Sequence, residues 1–70
     1  MIKSNSNCDG RYEAAVSMIK DTLDACEAYC KSSTLCVQFG YNSYMKECHL
    51  KKDGCEENMR TEDGVTSYRP

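Results

Sequence analysis

Between Thr22 and Lys31 the apolar positions recur at helical spacing. Leu23, Cys26 and Cys30 fall at i, i+3 and i+7 on one face, and Asp24, Glu27 and Lys31 turn outward. The pattern predicts one helix over about residues 22–31. Asp21 or Thr22 is placed to cap its first turn, and Asp24 lies where the helix dipole favours an acid. Glu27 precedes Lys31 by four residues, the favourable order for a surface pair. Ser32-Ser33-Thr34 ends the helix.

At Cys36 the period drops to two. Val37, Phe39 and Tyr41 share one face, and Cys36, Gln38 and Gly40 share the other, as in a strand. Asn42 to Lys46 reads as a turn, and Cys48 and Leu50 share a face of a second short strand, which makes a β-hairpin. Asp53-Gly54 breaks it. The acidic stretch Glu56 to Asp63 has one large apolar residue, Met59, and reads as an exposed, solvated loop. Gly64 then introduces Val65-Thr66-Ser67-Tyr68, a closing strand. Residues 1–7 are polar and read as a flexible N-terminal tail, with residues 8–70 forming a single domain. Residues 11–20 fit two templates. Tyr12, Val16 and Ile19 continue the helical stripe backwards from Leu23, while Val16 and Met18 also suit a strand.

Composition explains how so short a pattern holds together. A core built from 70 residues supplies roughly 3–5 kcal/mol. The six cysteines, an even count, read as three disulfides and a secreted, extracellular protein. Zinc is the other use of dense cysteine, but the sequence has no C-x2-C pair, and its one histidine, His49, adjoins Cys48 instead of standing at a ligand interval. We expect no metal and no cofactor. Cys26 and Cys30 must find different partners, because side chains at i and i+4 on a helix are about 5–6 Å apart at Cβ, against roughly 3.8 Å in a disulfide.

Charge and hydropathy exclude further classes. The net charge is −2 and the nine basic residues are scattered apart from Lys51-Lys52, so no stripe exists for nucleic acid. No apolar run approaches the roughly 18 residues of a membrane span. No signal peptide and no N-x-[ST] sequon are present, which fits a mature piece or a module excised from a larger secreted or surface protein. A lone histidine without a partnered nucleophile or acid does not point to an enzyme.

Phe39 and Tyr41 fall with Val37 on one strand face and are expected in the core. Tyr12, Tyr29 and Tyr68 are expected to pack at the core edge with their hydroxyls in water. Tyr44 differs: it lies in a polar loop with Lys46 and Glu47, close in sequence to His49. These four are the candidate ligand-binding residues, since an exposed ring beside charged groups suits protein or sugar contact.

The run Cys26-x3-Cys30-x5-Cys36-x2-Phe39-x-Tyr41, followed by Cys48-x-Leu50-Lys51, resembles the core of the PAN/Apple family, and Gly64 to Tyr68 is similar to that family's final strand. The resemblance implies an α+β fold, a small disulfide-rich curved antiparallel sheet cradling one helix, with a strand in place of the helical stripe before Thr22. It also implies the disulfides Cys26–Cys48 and Cys30–Cys36, which leaves Cys8–Cys55 as the third pair. The function it implies is a non-catalytic extracellular binding module for protein recognition or adhesion. The alternatives are a carbohydrate-binding, lectin-like module and a small secreted toxin or inhibitor. The expected partner is thus an extracellular protein or glycan.

Overall fold

The computed structural model describes all 70 residues. Its one helix, α1 (Leu23–Ser32), begins where the Thr22 hydroxyl accepts the Ala25 amide N–H at 3.1 Å, so of the two capping candidates Thr22 serves. The predicted stripe packs inward, with Cys26 and Cys30 buried. Glu27 and Lys31 face each other on the outer surface at 3.9 Å.

Strands β3 (Gln38–Asn42) and β4 (Glu47–Lys51) form the central hairpin. To it are added β2 (Met18–Ile19), outside β4, and β6 (Val65–Tyr68), outside β3. The result is an antiparallel sheet of order β2-β4-β3-β6. The register sets Phe39 between Leu50 and Tyr68, and Tyr41 between Cys48 and Thr66. Because side chains alternate across a strand, Phe39, Tyr41, Cys48 and Leu50 project from one face, where they meet Cys26 and Cys30 of α1. The rings of Phe39 and Tyr68 stack with centroids 5.4 Å apart. Three disulfides are closed: Cys26–Cys48 and Cys30–Cys36 anchor the helix, and Cys8–Cys55 joins the chain's first segment to the loop after β4.

Several expectations need correction. Of the two templates open for residues 11–20, the strand implied by the family resemblance forms, over Met18–Ile19 alone. Gly10–Tyr12 makes a single 3-10 turn capped by Asp9, and Met18–Ile19 pairs with β4, so the apolar stripe of Val16 and Ile19 faces solvent. The Asp9 carboxylate, which accepts the Arg11 backbone N–H at 3.1 Å, is held below the usual carboxylate range mainly by that bond.

The first seven residues are not a free tail. The backbone of Lys3 bridges to Ser67, extending the sheet beyond β6, and β1 (Ser6–Asn7) crosses to the face away from the helix. There it pairs with β5 (Arg60–Thr61), which lies inside the stretch expected to be a loop. The physical reason is visible at Gly40. A Cβ at that position would come within 2.9 Å of Val65 and 3.2 Å of Asn7 Oδ1, so the missing side chain lets β1 settle onto the sheet. The sheet is therefore covered on both faces, and Gln38, Lys51, Ser6, Asn7 and Ser67 are buried although polar. The Ser67 hydroxyl donates to the Ser6 carbonyl at 2.7 Å, while Asn7 Oδ1 is enclosed without a partner. Val37, expected inward with Phe39, lies before the strand begins and is exposed.

Candidate functional site

The turn Ser43–Lys46 joins β3 to β4, and its geometry follows from two residues. Asn42 Oδ1 accepts the backbone N–H groups of Tyr44 and Met45 at 3.0 and 3.1 Å, an Asx arrangement that fixes the loop. Lys46 takes the left-handed conformation (φ 60°) that brings the chain back into β4, and its carbonyl accepts the Lys20 N–H at 2.8 Å. The tip so built is held on both sides by the sheet. Tyr44 is 88% exposed and Met45 61% exposed, and Ile19, which opposes Glu47 across the β2–β4 pair, is 64% exposed.

Of the four candidate residues, Tyr44 and Lys46 lie in this turn, and Glu47 and His49 follow on one face of β4. His49 Nε2 lies 3.5 Å from Glu47 Oε1, and His49 Nδ1 lies 2.9 Å from the Ser17 hydroxyl. Ser17 in turn donates to Glu13 Oε1 at 3.3 Å. With the serine proton directed at Glu13, the His49 Nδ1–H is the donor to Ser17. Glu13, Ser17 and His49 thus form a hydrogen-bonded chain along the side of the sheet, with the Glu47 carboxylate close to the ring's other nitrogen. Acyl transfer requires, besides such a chain, oxyanion donors and room for a reacting carbonyl. The molecule's one cavity lies elsewhere, so the arrangement reads as a clamp that ties the segment before β2 onto β4.

That cavity, about 190 Å³, lies at the opposite end of the hairpin from the turn. It is lined by Val37, Gln38, Asp53, Gly54, Glu56, Glu57 and Arg69. The Arg69 guanidinium pairs with the Glu56 carboxylate across it. No group of three or more His, Cys, Asp or Glu side chains is placed to hold a metal ion. No helix is long and apolar enough to cross a membrane.

One hydroxyl expected in water is engaged: Tyr29 donates to the Val16 carbonyl at 2.8 Å, while the Lys20 ammonium lies 5.0 Å from its ring centroid. Reading the sequence missed the exposure of Met45 in the turn and of Ile19 opposite Glu47. It also missed Ser17 and Glu13 as partners of His49, and the groove altogether. Ile19 was legible only on the strand template, which turns it outward; nothing in local spacing signals Ser17 or the groove.

No protein-family model and no curated protein matches the chain. Among solved structures it superposes on the solution structure of the two N-terminal apple domains of Toxoplasma gondii microneme protein 4, with a TM-score of 0.77 and 24% sequence identity. The match covers 93% of this chain and 41% of the two-domain chain. The fold is therefore that of one PAN/Apple domain, an α+β module of one helix, an antiparallel sheet and three disulfides.

Proposed function

We propose that this chain is a non-catalytic extracellular module that recognises a protein partner through the tip of the β3–β4 hairpin. The observation that carries the reading is the pair Tyr44 and Met45, outward-facing on a turn fixed by Asn42 and backed by a disulfide-tied sheet. An aromatic and a methionine side chain presented on a fixed backbone turn offer contact area without the cost of ordering the loop, and both types are enriched in protein interfaces. Ile19, opposite Glu47 on β2, is a further exposed apolar residue near the turn, while Lys46, Glu47 and His49 supply polar groups. Three disulfides among 70 residues suit an oxidising, extracellular setting, and the apple fold of the neighbour, one of two in that chain, supports a unit within a larger protein.

Sugar binding through Tyr44 is the competing reading. An exposed methionine next in the turn and an exposed isoleucine on the strand beside β4 favour a protein surface over a carbohydrate. Parallel screening of the labelled module on extracellular-protein and glycan arrays tests this. The expected result is protein binding that Tyr44→Ala with Met45→Ser abolishes while the circular dichroism spectrum is retained. Saturable glycan binding with a blank protein array would overturn it.

A further inference from the structure

The groove at the base of the hairpin is not used in the reading above, and it has a definite chemistry. Three carboxylates, Asp53, Glu56 and Glu57, line it against one guanidinium, that of Arg69. Its single apolar wall is Val37. Acidic side chains clustered on a surface prove nothing alone, but Gln38 is different in kind. Only 2% of its surface is exposed, it lines the groove, and its side chain makes one bond, from Nε2 to the Met59 thioether at 3.8 Å. Thioether sulfur is a weak acceptor. The amide oxygen has no partner in the chain, yet it is not sealed in, since Asn7 Oδ1 is the one enclosed side-chain polar atom left without a partner. The groove is thus lined by a nearly buried residue whose amide oxygen has no donor within the chain.

We propose that this groove receives an arginine side chain of a partner protein, in the place that Arg69 holds from within the chain. At about 190 Å³ it is smaller than the roughly 300 Å³ and above of small-molecule pockets and suits a single side chain. A guanidinium presents its N–H donors in one plane, so it can bridge a carboxylate and the Gln38 carbonyl together; a lysine ammonium, a strongly hydrated point charge, matches this less well. Arg69 shows that a guanidinium is accepted at the Glu56 side, and its side chain, 63% exposed, can give way to another. After Arg69 is counted, the lining keeps two unbalanced negative charges, which attract a cationic partner.

Titration of Nα-acetyl-arginine amide into the full-length protein, followed by 1H–15N NMR, tests the proposal. In Arg69→Ala, saturable shifts are expected at Val37, Gln38 and Asp53 to Glu57, with a dissociation constant about two- to fivefold tighter than in the wild type, the range expected from removing one exposed competing pair. Glu56→Gln with Glu57→Gln should abolish the shifts, and Gln38→Met should weaken binding without changing charge. Tyr44→Ala should leave it unaltered, which separates this site from the hairpin tip. Absence of saturable shifts in Arg69→Ala would overturn the proposal. So would equal binding by the Glu56/Glu57 variant, or binding of Nα-acetyl-lysine amide as tight as the arginine probe.

Discussion

Lys51 lies almost wholly buried, 3% exposed, and its ammonium approaches the backbone carbonyl of Asp9 at 3.4 Å. Burial pulls its pKa below the ordinary 10.5, and the carboxylates of Glu13, Glu62 and Asp9 oppose that pull without cancelling it. The unfolded chain therefore holds this proton more tightly than the folded one. Stability should rise with pH from the lowered folded value up to 10.5 and be insensitive to this group below that window. Urea denaturation between pH 7 and 10.5 should show a rising midpoint in the wild type and a smaller rise in Lys51→Met. The comparison isolates Lys51 from the groups common to both proteins. Parallel curves would mean that burial does not act on this proton.

The helix depends on Cys26–Cys48 more than on any other link. Closing a loop of that span is worth about 3.4 kcal/mol on the chain-entropy model, close to the whole stability expected of so small a domain. Cys26/Cys48→Ala should lose cooperative thermal unfolding near physiological temperature. Cys8/Cys55→Ala should keep it, because that bridge fastens the rear layer and leaves the helix-facing core intact. Circular dichroism melts decide, and the opposite order of damage would relocate the core.

Gly40→Ala should detach the rear layer selectively. The added methyl would lie 2.9 Å from Val65 and 3.2 Å from Asn7 Oδ1, and both neighbours are packed in. Overpacking of this kind costs roughly 1–3 kcal/mol. Hydrogen exchange should accelerate at Ser67, whose N–H is bonded to the Lys3 carbonyl, before it accelerates within β3 and β4. Uniform acceleration would show that the two faces open together.

Thr22→Ala removes the acceptor of the Ala25 N–H and should cost about 1 kcal/mol, seen as a lower melting temperature. Thr22→Asp should restore most of it. Asp21→Ala should have little effect, since the alternative cap is not used.

The helix and central hairpin were legible because their signals are local: Leu23, Cys26 and Cys30 repeat at helical spacing, and Phe39 and Tyr41 repeat at strand spacing. The rear layer was not, because Ser6, Asn7, Gln38, Lys51 and Ser67 are polar and hydrophobic patterning assigns polar residues to water. Their burial follows from partners far along the chain, Ser67 bonding to Ser6 across 61 positions. The stripe through Val16 and Ile19 left helix and strand both open for a related reason. Two residues of edge strand suffice for β2, and β4 fixes them through a register that no local spacing encodes. At the candidate site, exposure of Tyr44 followed from its polar neighbours, whereas Ser17 reaches His49 from 32 positions away. The groove brings together Val37, Glu56 and Arg69 from three separate segments.

Cys8–Cys55 encloses both other disulfides within its span, and the chain's two ends lie side by side where Lys3 meets Ser67. Under tension applied at the ends, the bonds between Lys3 and Ser67 would carry the first load, and the residues outside Cys8 and Cys55 would then peel away. Beyond that point the force passes straight through the sulfur bridge, and the helix and hairpin between the two cysteines bear none of it. Single-molecule pulling should therefore give a short, abruptly limited extension in oxidised protein and a much longer one after reduction. The bridge thus serves as a mechanical stop, leaving the hairpin tip folded while its tethers are stretched.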